Sequence, residues 1–496
     1  MINELFHISI LLSTVIIFSS LCFRKRKPRE KSPVATNNYD SKGKILPPGG
    51  TGWPLIGETL DYFSKVKQGI PQKFVMDRMN KYSSKVFRTS LIGESVAILG
   101  NNAEGNKFLF SNEKKLVQVW WPSSVEKIFA TSENNKSTNE YLKGMRKLFP
   151  LILKPDVLVE HIGKMDDVVK QHFQTYWKCK EAVINVGEMS KKCIFSVACN
   201  LFLGINDAAK IDQLEKIVDE VATGLHSMPI DLPGTALNRG IKASKHMRKI
   251  VETMVRQRKH DYFSARQKIS VSEVDFMSRL IQARDENGEN LKEEDIISVL
   301  VGLMEGGYAT LHNTITVIMY QLAEFPDVYN LVLTEQKEIA KSKETGEKLS
   351  WEDLRKMKYS WNVVCEVLRI LPPGIGSFKE AITDFSYEGY TIPKGWKIHW
   401  IFHSTHKNPE YFPNPESFDP SRFQGDGPIP YTFVPFGGGS RMCPGNEYAR
   451  VAMLIFMHNA VTKFRWEKFI PSEGIIYYPY PRPAQGLPIR LHPHNL

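Results

Sequence analysis

Phe436-Gly437-Gly438-Gly439-Ser440-Arg441-Met442-Cys443-Pro444-Gly445 is the most specific stretch of this 496-residue chain. A run of three glycines bends toward a lone cysteine, and Pro-Gly then leads into a helical pattern. Glycines let backbone approach a flat ligand closely. Backbone N–H groups around a helix N-terminus favour a thiolate over a thiol. The guanidinium of Arg441 can receive a carboxylate as a two-pronged partner. The competing reading of Cys443 alone is an ordinary buried thiol.

The composition around this stretch is that of a globular protein: 42% hydrophobic, 24% charged and 11% aromatic. It excludes a disordered or collagen-like chain. Net charge is +11, but residues 24–44 alone carry +6, leaving +5 for everything else. A basic bias confined to one short segment argues against a nucleic-acid partner. Six cysteines, with no C-x-x-C pair and no zinc-type spacing, point to a reducing compartment.

The amino terminus reads as a membrane anchor. Leu5 to Phe23 has nineteen residues without a charge, close to the ~20 that a spanning helix needs. Arg24-Lys25-Arg26-Lys27 follows it, the reverse of the order in a cleaved signal peptide. Positive charge stays cytosolic, so the body is expected to face the cytosol. Residues 24–54 form a basic flank and a stiff hinge, Leu46-Pro47-Pro48-Gly49-Gly50-Thr51-Gly52-Trp53-Pro54. No linker interrupts residues 55–496, which read as one large catalytic domain.

Within that domain the pattern is mainly α with a smaller β part. Glu293 to Phe325 reads as one long apolar helix and Trp351 to Leu371 as another, ended by Pro372-Pro373. Strand-like pieces follow at Phe385–Ile392 and Trp396–Phe402. Residues 407–440, rich in Pro and Gly, read as an ordered meander, and Arg450 to Phe464 as a helix. Glu366 and Arg369 lie three apart on one helix face and can pair. Phe418-Asp419-Pro420-Ser421-Arg422-Phe423 supplies a further arginine.

F-x-x-G-x-R-x-C-x-G at Phe436–Gly445 resembles the haem-ligand loop of a cytochrome P450, and the order Glu366-x-x-Arg369, Arg422, Cys443 resembles that family's pattern across nearly the whole chain. Leu46 to Glu58, Trp120-Trp121-Pro122, Pro233-Gly234-Thr235, Ile392 to Trp396 and Thr405 to Pro409 look like the plant microsomal triterpenoid oxidases that act on β-amyrin or dammarane skeletons. The resemblance implies the cytochrome P450 fold behind one N-terminal transmembrane helix. It implies haem b with Cys443 as axial thiolate, the ligand that favours O–O cleavage. Phe436, Gly437 and Arg441 are expected around the cofactor, with Arg146 and Lys379 as further partners of its propionates. Each of these two can equally be a solvated charge. Lysine would act there as a point charge, without arginine's fork. Glu366, Arg369 and Arg422 are expected to form a buried ionic triad that is structural.

In the family, the helix over the haem reads small-Gly-x-acid-Thr. Here it is Gly306-Gly307-Tyr308-Ala309-Thr310. Thr310 is expected to guide dioxygen and protons, but the carboxylate that relays protons is replaced by Ala309. Glu305 and His312 lie near and are the candidates to compensate, but the favoured reading is that Glu305 meets water or a basic partner and His312 is a satisfied core residue. The apolar substrate's walls are expected at Trp120–Ile128, Leu225–Leu237, Met304–Thr310, Pro373–Phe378 and Tyr480–Gly486.

The chain has no P-loop and no dinucleotide fingerprint, so electrons must come from a partner, which the resemblance implies to be an NADPH-dependent flavoprotein reductase. The activity so implied is hydroxylation or further oxidation of a terpenoid, foremost a triterpene, at the endoplasmic reticulum membrane. A diterpenoid hydroxylase, an oxygen-independent haem-thiolate isomerase or dehydratase, and a non-catalytic haem-binding protein are the alternatives.

Overall fold

Gly306 and Gly307 cost the long apolar segment its continuity. Glycine inside a helix is about 1 kcal/mol less favourable than alanine, and two in succession end the first helix here. The computed structural model describes residues 43–99, 101–129, 138–177, 183–264, 275–344 and 346–494. Among them are the helices α1 (Ser123–Phe129), α2 (Thr138–Leu148), α3 (Val186–Ala198), α4 (Ala208–Leu225), α5 (Ala236–Ser264), α6 (Glu293–Gly306) and α7 (Ala309–Glu324). The single helix expected over Glu293–Phe325 is thus two, with Tyr308 at the restart. Glu293, Glu294 and Asp295 favour the first turn of α6 by facing its dipole. Pro326 opens the next helix, where its missing N–H costs nothing.

The helix expected over Trp351–Leu371 is also divided. Ser350 and Asp353 make a capping box for Trp351–Lys356. Met357 then separates it from α8 (Lys358–Ile370). The last long helix, α9 (Asn446–Lys463), begins earlier than expected, directly after Gly445, and is buried without a break from Val451 to Thr462. A helix apolar on all sides belongs in a core, and α9 packs there with α6, α7, α8 and α3.

The β part is small. β1 (Phe87–Leu91), β2 (Glu94–Ile98), β3 (Val117–Val119), β4 (Val183–Asn185), β5 (Ser377–Ala381), β6 (Phe385–Tyr387), β7 (Tyr390–Ile392) and β8 (Lys397–Trp400) come first in the chain, and Phe464–Lys468 and Pro488–Pro493 are later strands. The largest sheet has the order β1-β2-β8-β5-β3. β2 and β8 are parallel with Val96 opposite Lys397, and β5 and β8 are antiparallel with Ser377 opposite Trp400. β6 and β7 form a hairpin where Phe385–Ile392 read as one strand-like piece.

The chain parts into two units between Leu46 and Pro47, inside the expected hinge. Residues 5–23, expected as the anchor, lie outside the described residues, as does most of the basic flank. Among the described residues no single helix is long and apolar enough to cross a membrane.

Glu366 and Arg369 are wholly buried. The guanidinium donates to both carboxylate oxygens at 2.7 and 2.8 Å. It also donates to the carbonyls of His406 (3.0 Å), Pro415 (2.8 Å) and Ser417 (3.1 Å). Asp419 N donates to Glu366 Oε1 at 2.8 Å, and Arg422 Nε stands 3.4 Å from the same oxygen. Removing one partner leaves a buried charge uncompensated, so Glu366→Gln is expected to cost about 3–5 kcal/mol in a denaturant titration. The double variant Glu366→Met/Arg369→Met should cost less than Glu366→Gln alone.

Candidate functional site

The glycine-rich loop is shaped by positions that no other residue fits. Gly437 has φ +74°, and a Cβ on Gly438 would stand 2.4 Å from the Phe110 ring. Cys443 N donates to Phe436 O at 2.8 Å, closing the bend. The loop is tethered from behind as well. Gly437 N donates to Val434 O at 2.9 Å, and Val434 N donates to His406 Nε2 at 2.9 Å. His406 O in turn accepts from Arg369. Burial holds the His406 ring neutral, with its pKa well below the ordinary value, so Nε2 is free to accept. His406 is a residue whose part in the loop the sequence alone did not reveal.

Among the described residues, Cys193, Cys199 and Cys365 are buried, whereas the surface of Cys443 is accessible. Protein nevertheless surrounds it on most sides, and that desolvation raises its thiol pKa. The Gly445 N–H and the charge of Arg146 act the other way, toward the thiolate.

Cations gather at the same end. Arg146, on α2, donates to the carbonyls of Ser440 (3.1 Å), Arg441 (3.1 Å) and Met442 (3.0 Å). Lys379, on β5, is buried and pairs with Glu113, whose other oxygen stands 4.0 Å from Arg441 Nε. Neither Glu113 Oε1 nor Arg441 Nε has a hydrogen-bond partner. Lys379 and Arg441 therefore share one carboxylate, and Arg146 holds the loop that carries Arg441 and Cys443. In the sequence Asn112-Glu113-Lys114-Lys115 looks like a solvated charge run, and nothing in it marks Glu113 as buried.

The helix break supplies a second surface. Gly302, Gly306 and Thr310 recur every four residues. A Cβ on Gly306 would meet nothing within 4 Å, and Thr310 is half-buried although its neighbours Ala309 and Leu311 are buried. Helix α2 links the two features: Met145 packs against Gly302, and the adjacent Arg146 holds the cysteine loop. Tyr308 turns away, donating to Asp219 Oδ1 at 2.5 Å. Its ring stacks on His312, which burial pushes down to about 3.

The expected substrate segments also touch one another. Trp120 packs edge-on to Phe378, Ile128 clusters with Val221 and Leu237, and His226 meets Tyr480. Glu305 joins them at Ser244, close to the Ile128 carbonyl.

An accessible sulfur, unpaired donors on Arg441 and a bend that only glycine permits fit a flat, anionic cofactor ligated by thiolate. Among the described residues no three His, Cys, Asp or Glu side chains converge to hold a metal ion by themselves. Residues 47–473 match the Cytochrome P450 family. A beta-amyrin 16-beta-monooxygenase of Platycodon grandiflorus is 51% identical over 92% of this chain and 95% of its own. A beta-amyrin 28-monooxygenase of Vitis vinifera is 51% identical over 91% and 93%, and one of Solanum lycopersicum is 49% identical over 99% of both. The solved structure of retinoic acid bound cyanobacterial CYP120A1 superposes with a TM-score of 0.77 at 30% identity, covering 91% of this chain and 100% of that one.

Burial pushes the Glu305 carboxyl from 4.5 up to about 8. Below the lower value both folded and unfolded chains hold the proton. Above it only the unfolded chain loses it, so stability falls as pH rises, by at most ~1.4 kcal/mol per unit, and levels off once the folded group ionises. Denaturant midpoints measured across this range should show a flatter profile for Glu305→Gln than for the unaltered protein.

Proposed function

Because the chain belongs to the cytochrome P450 family and is a haem-thiolate monooxygenase, we propose that Cys443 ligates the iron of haem b and that the enzyme oxidises a triterpene. When bound, the haem supplies activation of dioxygen by electrons from NADPH and insertion of one oxygen atom into a C–H bond. The observation that carries this reading is the accessible sulfur of Cys443 amid Arg146, Arg441 and Lys379.

Each residue has a distinct task. Phe436 and Gly437 would flank the cofactor, and Phe436 closes the loop on Cys443. The Gly445 N–H and Arg146 hold negative charge on the sulfur. Arg441 and Lys379 would receive the propionates, while Glu113 keeps both cations in place. Arg146 also holds three loop carbonyls. Thr310 holds a proton at Oγ1 beside the space opened by Gly306.

The substrate class follows from the named activities of the relatives and from the apolar segments that meet around Ile128, Phe378 and Tyr480. A large apolar scaffold would enter from the endoplasmic reticulum membrane, with residues 5–23 as a single-pass anchor and the catalytic unit on the cytosolic side. A membrane-bound NADPH-dependent flavoprotein reductase would deliver the electrons.

The test is expression with such a reductase and β-amyrin-type scaffolds, followed by mass spectrometry. Products heavier by one oxygen atom or more are expected, and only with NADPH and dioxygen. The reduced, carbon-monoxide-treated protein should show the Soret shift of sulfur ligation. Cys443→Ser should abolish both signals.

A further inference from the structure

Ala309 is buried and carries no proton to give. The acid four residues earlier, Glu305, is more than nine-tenths buried, and its Oε2 has no hydrogen-bond partner. Ser244 Oγ lies 2.9 Å from Ile128 O and 3.2 Å from Glu305 Oε1. A hydroxyl has one proton to donate, and a carbonyl oxygen only accepts. When Ser244 serves the shorter bond, its contact with Glu305 is a hydrogen bond only if Glu305 itself carries a proton and donates it to Ser244 Oγ. Burial favours the same neutral form, and the Ser244 hydroxyl and the nearby Arg248 oppose it without reversing it.

A second observation lies one turn further along α5. Arg248 Nη1 is also buried without a partner. Its Nη2 bonds Glu294 and stands 3.4 Å from Ser298 Oγ. Glu294, Ser298 and Glu305 lie along α6 where it packs on Ser244 and Arg248, in a helix whose other residues there are Ile296, Ile297, Val299, Leu300 and Val301. A polar seam therefore leads from the partly exposed Glu294 inward to Glu305. Its two unpartnered atoms, Arg248 Nη1 and Glu305 Oε2, are the kind of buried polar sites that water satisfies.

We infer that Glu305 passes protons through water toward Thr310 Oγ1 and regains them along the Glu294–Arg248–Ser244 seam, taking over the work of the acid that position 309 lacks. The inference rests on the monooxygenase activity and adds its proton path. Each turnover converts R–H, O2, NADPH and one H+ into R–OH, H2O and NADP+. Two protons leave in the water, one from NADPH oxidation and one from the medium. Glu305 gives and regains each in turn and ends unchanged. The groups that face it are Ser244 and Arg248 of α5, with the Ile128 carbonyl of α1 behind Ser244, and Arg248 in turn meets Ser298 and Glu294.

The test uses the full-length holoenzyme with its reductase in lipid vesicles. Infrared spectroscopy at neutral pH should show a protonated-carboxyl band that Glu305→Gln removes. Glu305→Gln should lower product per NADPH about ten-fold. Glu305→Asp should retain most of the coupling. Glu305→Gln/Ala309→Asp should restore it, which a packing defect at 305 would not allow. The inference is overturned if the band is missing, if Glu305→Gln couples as well as the unaltered enzyme, or if the restored acid at 309 fails to rescue. Absence of product from the unaltered enzyme under every condition would remove the monooxygenase activity and the path with it. The infrared band would then still separate that failure from a wrong protonation of Glu305.

Discussion

The Glu366–Arg369 pair is the interaction on which the rest of the structure hangs. Its charges are sealed from water, so each must be matched in full by the other and by neighbouring backbone. Arg369 does this by taking carbonyls from His406, Pro415 and Ser417, and Glu366 by taking the Asp419 N–H. Four points of an irregular segment are thereby fixed to helix α8. The segment has little regular secondary structure, so this ion pair supplies the positional definition that a ladder of backbone bonds would give elsewhere.

From there the order passes on through hydrogen bonds to the cysteine. Arg369 holds His406, His406 accepts from Val434, Val434 accepts from Gly437, and Phe436 accepts from Cys443. Every link after the first involves backbone or a neutral ring, so the path reaches the sulfur without bringing another charge beside it. The cations instead arrive from separate elements: Arg146 from α2, Lys379 from β5, Arg441 from the loop itself. Glu113 allows the last two to share a dry site without mutual repulsion.

On the opposite side, the interruption between α6 and α7 has two consequences. It leaves space beside Gly306, and it sends Tyr308 toward Asp219. The same interruption separates Glu305 from the residues that follow and seats it in the seam between α5 and α6. Loss of the acid at 309 and burial of an acid at 305 thus flank one break between two helices.

The order of residues was enough to announce the thiolate loop, the Glu366–Arg369–Arg422 set and the mainly helical architecture. The helical architecture and the Glu366–Arg369 pairing rest on local spacing, whereas the membership of Arg422 and the role of Cys443 rest on the resemblance to the family. Helix limits were less legible, because Gly306-Gly307 and Met357 end helices only when packing on both sides already satisfies the pieces. Glu113, His406 and the buried state of Glu305 could not be read at all. Whether a charged or titratable side chain meets water or a partner is set by elements distant in the chain, such as β5 for Glu113 and α5 for Glu305. Local sequence determined which groups were present and in what order; tertiary packing decided which of them were desolvated, and desolvation sets what a carboxyl, an imidazole or a thiol can do.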